Sequence, residues 1–290
     1  MPESAETDRI DKIREEKRGM GKLYLVPDRT DMERMCGLAE AYDCAFEYND
    51  FYKAEIMDDV GKQERIIEDY KHYRDSMTQD TMHGAFLDVT IHSSDPLIRD
   101  ASMLRIRQTM DIAQRMGLKG IVFHTGRLAG FRAAGYLADW RRKNADFFTQ
   151  IAMEYPEQQI YMENMFDEAP DILAELAEQM HEVKNFGVCL DYAHAMLTKC
   201  SGQEWIETLA PYIRHIHIND NDLVNDLHLP VGSGRVNFRE FDSLVRRYRI
   251  EAPVLVEVNG YEAQKRSLEY MKQHGIYPMN AKENDSALTI

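Results

Sequence analysis

Short apolar runs recur along the chain: Leu23–Val26, Cys44–Tyr48, Ala85–Ile91, Gly120–His124, Ile160–Glu163, Phe186–Asp191, Arg214–Ile218 and Pro253–Val258. Each is four to seven residues long, and most are rich in Val, Ile, Leu or Phe. That is the pattern of strands buried on both faces. Longer helix-like stretches lie between them. Ile98–Met116 has helical periodicity and stops at Gly117, as a C-terminal glycine should. Pro170 opens Asp171–His181, and Asn237 with Glu240 resembles a capping box before Phe241–Tyr248.

Strand alternating with helix predicts an α/β protein with a parallel sheet. Eight such units in a core of about 250 residues predict a single (β/α)8 TIM barrel. A doubly wound sheet is the alternative, but the first strand lacks the Gly-rich turn usual there. Residues 1–20 read as an N-terminal arm, 21–278 as the barrel and 279–290 as a polar C-terminal tail.

Composition narrows the class. Hydrophobic residues at 44% against 29% charged exclude a wholly disordered chain. Thirty-five Lys and Arg against fifty Asp and Glu give a formal net charge of −15. This weighs against a generic nucleic-acid or anionic-membrane binder, which needs clustered cations. Cys36, Cys44, Cys189 and Cys200 form no C-x-x-C pair, so reduced thiols are expected. The polar N-terminus has no secretory h-region, and no apolar run reaches about 18 residues. The expected location is the cytoplasm.

In a TIM barrel the active site lies at the C-terminal ends of the strands. Metal-capable residues gather at the ends of the expected strands: His92 on the third, His124 on the fourth, Glu163 and Asn164 on the fifth, Asp191 on the sixth with His194 three residues on, His217 on the seventh, and Glu257 on the eighth. Asp226 and His228 follow in the loop after the seventh strand. By period-2 alternation, Glu163, Asp191 and Glu257 share faces with Tyr161, Cys189 and Leu255. Unpaired carboxylates on an inward face cost several kcal/mol each, and a shared cation removes the difficulty. Imidazole mixed with carboxylate suits zinc, manganese or cobalt better than magnesium. His215 lies deeper and reads as barrel filling, and Asp220 and Asp222 read as turn residues.

The segments FHTG, YMENMFDE, GVCLDYAHA, HIHINDND, DLHLPVGSGRVNF and VLVEV resemble the xylose isomerase-like TIM-barrel superfamily, over about Leu23 to Tyr270. That superfamily holds sugar isomerases, ketose 3-epimerases, sugar-phosphate isomerase/epimerase homologues and the endonuclease IV group (AP endonuclease family 2). The resemblance implies one divalent cation (Mn, Zn, Co or Mg) on Glu163, Asp191, His217 and Glu257, with Glu163 and Glu257 as the catalytic acid/base pair. The endonuclease IV branch implies up to three zinc ions, with further ligands at His92, His124, His194, Asp226 and His228. After His92, however, that branch carries an aromatic and an Asn that grip DNA, and this chain has Ser93-Ser94-Asp95.

The expected function is therefore metal-dependent isomerisation or epimerisation of a small sugar or sugar phosphate, with His194, Arg127, Glu47, Arg235 and Asn164 as substrate contacts. Arg127 would grip an anionic group, or else pair with an acid at the surface. The alternatives are a zinc phosphodiesterase cutting at apurinic sites and a non-catalytic sugar-binding or partner subunit. Nucleic acid is disfavoured, no membrane partner is expected, and a homo-oligomer is allowed.

Overall fold

A computed structural model describes residues 22–280. The expected arm 1–20 and the tail beyond residue 280 lie outside the described residues. Eight parallel strands close in sequence order into a barrel. They are β1 (Leu23–Leu25), β2 (Cys44–Tyr48), β3 (Thr81–His83), β4 (Gly120–His124), β5 (Gln159–Glu163), β6 (Phe186–Asp191), β7 (Ile213–Ile218) and β8 (Val254–Val256). No described helix is long and apolar enough to cross a membrane.

Side chains on each strand alternate between two environments. Leu23, Phe46, Ile121, Ile160, Val188, Ile216 and Val254 point outward and join one large core under the helices. Tyr24, Val26, Ala45 and Leu255 form one small cluster, and Val122, Tyr161 and Cys189 another. These inner clusters fill the barrel, so it is a packed plug and not a pore. The same alternation turns the residue two positions further along each strand inward, at the rim.

The helix boundaries follow local chemistry. Helix Pro96–Met116 starts with Pro96 in its first turn and the Asp95 carboxylate accepting from the Leu97 amide. It ends on Gly117 at φ 69°. Helix Phe238–Arg247 starts three residues before the expected Phe241, immediately after Asn237, whose side chain accepts from the Glu240 amide.

One strand departs from expectation. β3 is Thr81–His83 and pairs with Gly120–Val122 of β4. The apolar run Ala85–Ile91 is a loop over the rim instead. Asp88, at φ 59°, breaks its extended path. Gly84 continues the ladder by donating to the Val122 carbonyl at 2.8 Å. A Cβ there would stand 2.3 Å from the Phe123 ring, so the close approach requires glycine.

Candidate functional site

The inward residues at the strand ends are His83 (β3), His124 (β4), Glu163 (β5), Asp191 (β6) and His217 (β7), with Glu257 one residue past β8. Strand register sets them side by side: His124 pairs with Glu163, and Asp191 with His217. Their ligand atoms, with those of His194 in the short helix Tyr192–Ala195 and of two loop residues, fall into three contiguous groups. The central group is Glu163, Asp191, His217 and Glu257. Glu163 is shared with a second group, His83 and His124. The third is His194, Asp226 and His228.

The distances are those of atoms facing a common point. Glu163 Oε2 lies 3.4 Å from His83 Nε2, 3.5 Å from His124 Nε2 and 3.4 Å from His217 Nδ1. Glu257 Oε2 lies 3.5 Å from His217 Nδ1. Asp226 Oδ2 lies 3.3 Å from both His194 Nε2 and His228 Nε2.

Three of these imidazoles are aimed from behind by backbone carbonyls. His83 Nδ1 lies 3.1 Å from the Gly84 carbonyl, His194 Nδ1 3.0 Å from that of Asn164, and His228 Nδ1 2.9 Å from that of Glu257. With Nδ1–H donated there, each Nε2 lone pair is left for the site. The loop carrying Asp226 and His228 is held by Asp220. Its buried carboxylate accepts from the amides of Asn221, Gly232, Gly234 and Val236 at 2.8–3.0 Å. Asp220 also pairs antiparallel with Leu229, closing the loop.

The donor set fits divalent cations. Both Glu163 oxygens, Asp191 Oδ2, Glu257 Oε2 and His217 Nδ1 are buried without a hydrogen-bond partner. Buried polar atoms are seldom left unpaired, and a cation among them would supply what is missing. The charges point the same way. Burial pushes the Glu163 carboxyl up, yet His217 and His124 bring it well below the usual range. Burial drives Asp191 up to about 7, against His194 and helped by Glu257 and Glu163. Burial alone would lower His228, but Asp226 and Glu257 raise it to about 10.

A cavity of about 310 Å³ opens over these groups, lined by His83, His124, His194, Asp226, His228 and Glu257, with Tyr52, Phe86 and Met165 as apolar wall. Among its described lining residues there is no Lys or Arg. A wider hollow of about 1120 Å³, between Tyr52–Glu55 and Leu87–Arg105, holds none of the three groups.

Several expected residues sit elsewhere. His92 belongs to none of the ligand groups; His83 stands where the sequence reading put it. The misplaced third strand is the cause. His92 is buried with Nε2 3.0 Å from the Tyr136 hydroxyl, and Lys143 Nζ donates to its carbonyl at 2.9 Å. Burial, then Lys143, pushes its imidazole down to about 4. Since the folded value lies below the unfolded one of about 6.5, His92 contributes stability above pH 6.5 that is lost as pH falls toward 4. Urea melts of His92→Gln are expected to show a flatter stability profile than the parent across that window. An unchanged profile would refute this placement of the proton.

Arg127 is taken up by two acids in this arrangement. Its side chain is only 1% exposed, with Nε 2.9 Å from Asp167 Oδ1 and a second contact to Glu168. Asp167 in turn accepts from Thr125 Oγ1 at 2.8 Å. The guanidinium pins the loop after β4 to the loop after β5. Arg127→Met is expected to cost roughly 3–5 kcal/mol of stability, because Asp167 is left buried without a counter-charge. Urea melting tests this; a stable variant with impaired ligand binding would restore the ligand-gripping role. Arg235 is exposed, and its amide donates to the Asn221 carbonyl at 2.7 Å, away from the cavity lining. The Asn164 side chain is used twice by the Asp191 backbone, at 2.9 and 3.0 Å, and clamps β5 to β6. Glu47 does line the cavity, from below the rim; it is 1% exposed and lies against His215 and His217.

A family model described as xylose isomerase-like TIM barrel matches residues 40–274. The chain belongs to this family. An uncharacterized protein of Methanocaldococcus jannaschii, MJ1614, is 28% identical over 187 residues, covering 61% of this chain and 69% of that protein. Among solved structures, the TTHB071 protein from Thermus thermophilus, soaked with ZnCl2, superposes with a TM-score of 0.68 at 20% identity, over 86% of this chain and 96% of that one. A D-tagatose 3-epimerase-like protein does so with a TM-score of 0.68 at 21% identity, over 87% and 96%. At such identities the superpositions speak for the fold.

Proposed function

We propose that this protein is a divalent-metal-dependent isomerase or epimerase of small sugars. One observation carries the reading. Glu163 and Glu257 converge on His217 Nδ1, at 3.4 and 3.5 Å, beneath a cavity of about 310 Å³. A cavity of that size suits a small molecule. Its described lining residues include no Lys or Arg, which favours a neutral sugar over a sugar phosphate or a nucleic-acid duplex. The likeness to a D-tagatose 3-epimerase-like protein supports the same substrate class.

Glu163, Asp191, His217 and Glu257 would hold the cation. When bound, it would polarise a substrate carbonyl and acidify the neighbouring C–H. Glu163 and Glu257, rising from β5 and from beyond β8, would remove and return the proton on opposite faces of that carbon. His194 and Asp226 would orient hydroxyls from the side. Phe86 and Met165 would shield the reacting carbon from water. The test is turnover of a panel of ketoses and aldoses by protein loaded with Mn, Zn, Co or Mg. Epimer or isomer formation is expected with at least one sugar; no conversion of any of them, with tight sugar binding retained, would make the protein a binding subunit.

A second reading is favoured by a different observation: the three ligand groups are contiguous, and Glu163 serves two of them. Three cations so placed would suit cleavage of a phosphoester, where they neutralise the charge developing on the phosphoryl oxygens. The readings diverge at Glu163. If cations flank both its oxygens, its remaining lone pairs lose basicity and it becomes a poor proton acceptor. Elemental analysis of protein purified without chelator separates them: about one cation per chain for the isomerase, about three for the phosphoesterase.

A further inference from the structure

One charged group in the barrel has no part in the chemistry above. Glu47 points inward from β2 at the level below the rim, level with Thr81 of β3. It is 1% exposed, yet it is surrounded by donors. Thr81 Oγ1 donates to Oε2 at 2.6 Å, and His215 Nε2 lies 2.9 Å from the same oxygen. His217 Nε2 lies 3.0 Å from Oε1, at charge-pairing distance though off the line of a straight hydrogen bond. His215 is itself wedged, stacked on Tyr161 at 5.0 Å and edge-on to Tyr24 at 5.3 Å. The His215 ring is thus held from two sides, while Glu47 is held by its donors at the floor of the cavity.

An ionised carboxylate only accepts. Facing Glu47, both rings must therefore present N–H at Nε2. For His217 this leaves Nδ1 as the free lone pair. That atom lies 3.4 Å from Glu163 Oε2 and 3.5 Å from Glu257 Oε2. A lone pair held against two carboxylates is repelled by both unless a cation, or in its absence a proton, sits between them.

We infer that Glu47 is a positioning residue: through its contact with His217 Nε2 it fixes the ring so that Nδ1 is the metal donor, while Thr81 and His215 hold Glu47 in place. This rests on the metal-dependent reading of the site and is independent of which reaction the site performs. It also accounts for a glutamate and a second histidine in the barrel interior, where hydrophobic residues are usual.

Glu47→Gln tests it. The Gln carboxamide keeps the shape but turns one acceptor into an NH2 donor. Pointed at His217, that donor clashes with Nε2–H or moves the proton to Nδ1, the metal-facing atom. Zinc affinity, measured by competition with a chromophoric chelator, is expected to fall about 10- to 100-fold. Glu47→Asp, which keeps both acceptors, should recover part of the loss. In the zinc-loaded parent, nitrogen-15 spectra should show His217 protonated at Nε2 only. Equal zinc affinity of Glu47→Gln and the parent would overturn the inference, as would a variant that melts lower but whose folded fraction binds zinc like the parent. A parent without zinc affinity would overturn the metal reading itself, a distinct result.

Discussion

Stripping divalent cations with a strong chelator is expected to abolish activity and to lower the melting temperature by about 6 °C, with both restored on adding back zinc or manganese. The physical basis is the crowding of carboxylates on the barrel axis. Glu163 and Asp191 are fully buried, and Glu257 is 17% exposed. Burying an uncompensated ion costs several kcal/mol. Without a cation, the histidines and a proton have to do the balancing: Glu163 is held ionised by His217 and His124 against the pull of burial, while burial drives Asp191 up to about 7. A cation at 100 to 1,000 times its Kd adds roughly 3–4 kcal/mol of stability. For a chain of this size that corresponds to a melting shift of roughly 5–7 °C.

The sign of the pH dependence follows from the same groups. Cation binding must displace the proton that Asp191 holds below about pH 7, so stabilisation by added zinc should shrink as pH falls through that value. His228, raised to about 10 against burial by Asp226 and Glu257, also gives up a proton if a cation takes the third group. Differential scanning calorimetry with and without chelator, at several pH values, measures both effects. A melting temperature indifferent to chelator at every pH would rule out an occupied metal centre.

Much of this architecture is legible in the sequence because strand ends in a TIM barrel carry two signals at once. Buried parallel strands read as apolar runs, and an acid or imidazole closing such a run has few other uses. Glu163, Asp191, His217 and Glu257 stand out for that reason, and the structure brings them together. The third strand fails for the same reason the others succeed. Thr81–His83 is three residues long and half polar to the eye, whereas Ala85–Ile91 nearby is longer and more apolar. Length and hydropathy favour the wrong run.

The signal that could have located His83 is spacing. It lies three residues after Asp80, whose carboxylate accepts from the Phe46 amide at 3.0 Å and the Tyr48 hydroxyl at 2.8 Å, so the turn entering β3 is tied to β2. Phe86, from the displaced run, instead stands over the His83 and His124 rings at 5.0 and 5.1 Å. Arg127 is ambiguous in the sequence for a different reason. A sequence shows that a cation lies near the site but not which acids face it, and Asp167 is 40 residues away. Pairing between loops is a tertiary property. Glu47 is similar: its partners His215 and His217 lie across the barrel, 168 residues or more along the chain.

Glu163→Gln is expected to lower kcat/KM by a factor of about 1,000, or roughly 4 kcal/mol of transition-state stabilisation, within the usual range for loss of a general acid or base. The size of the loss alone does not separate the two readings, because Glu163 is also a ligand in each. Isotope exchange does. In the isomerase, Glu163 and Glu257 work on opposite faces of one carbon. Removing Glu163 leaves Glu257 able to exchange a proton on its own face, so one epimer should still take up deuterium from heavy water while yielding no product. Glu257→Gln should show the mirror result, with exchange only into the other epimer. Both variants need saturating cation, so that the carboxamide oxygen can still act as a neutral ligand and the loss reports proton transfer. If Glu163 instead bridges two cations, Glu163→Gln should shed cations from the His83 and His124 group, and neither variant should exchange deuterium into any sugar. Loss of exchange from both epimers in both variants, together with a falling cation count, would therefore move the protein from proton transfer at carbon to chemistry at phosphorus.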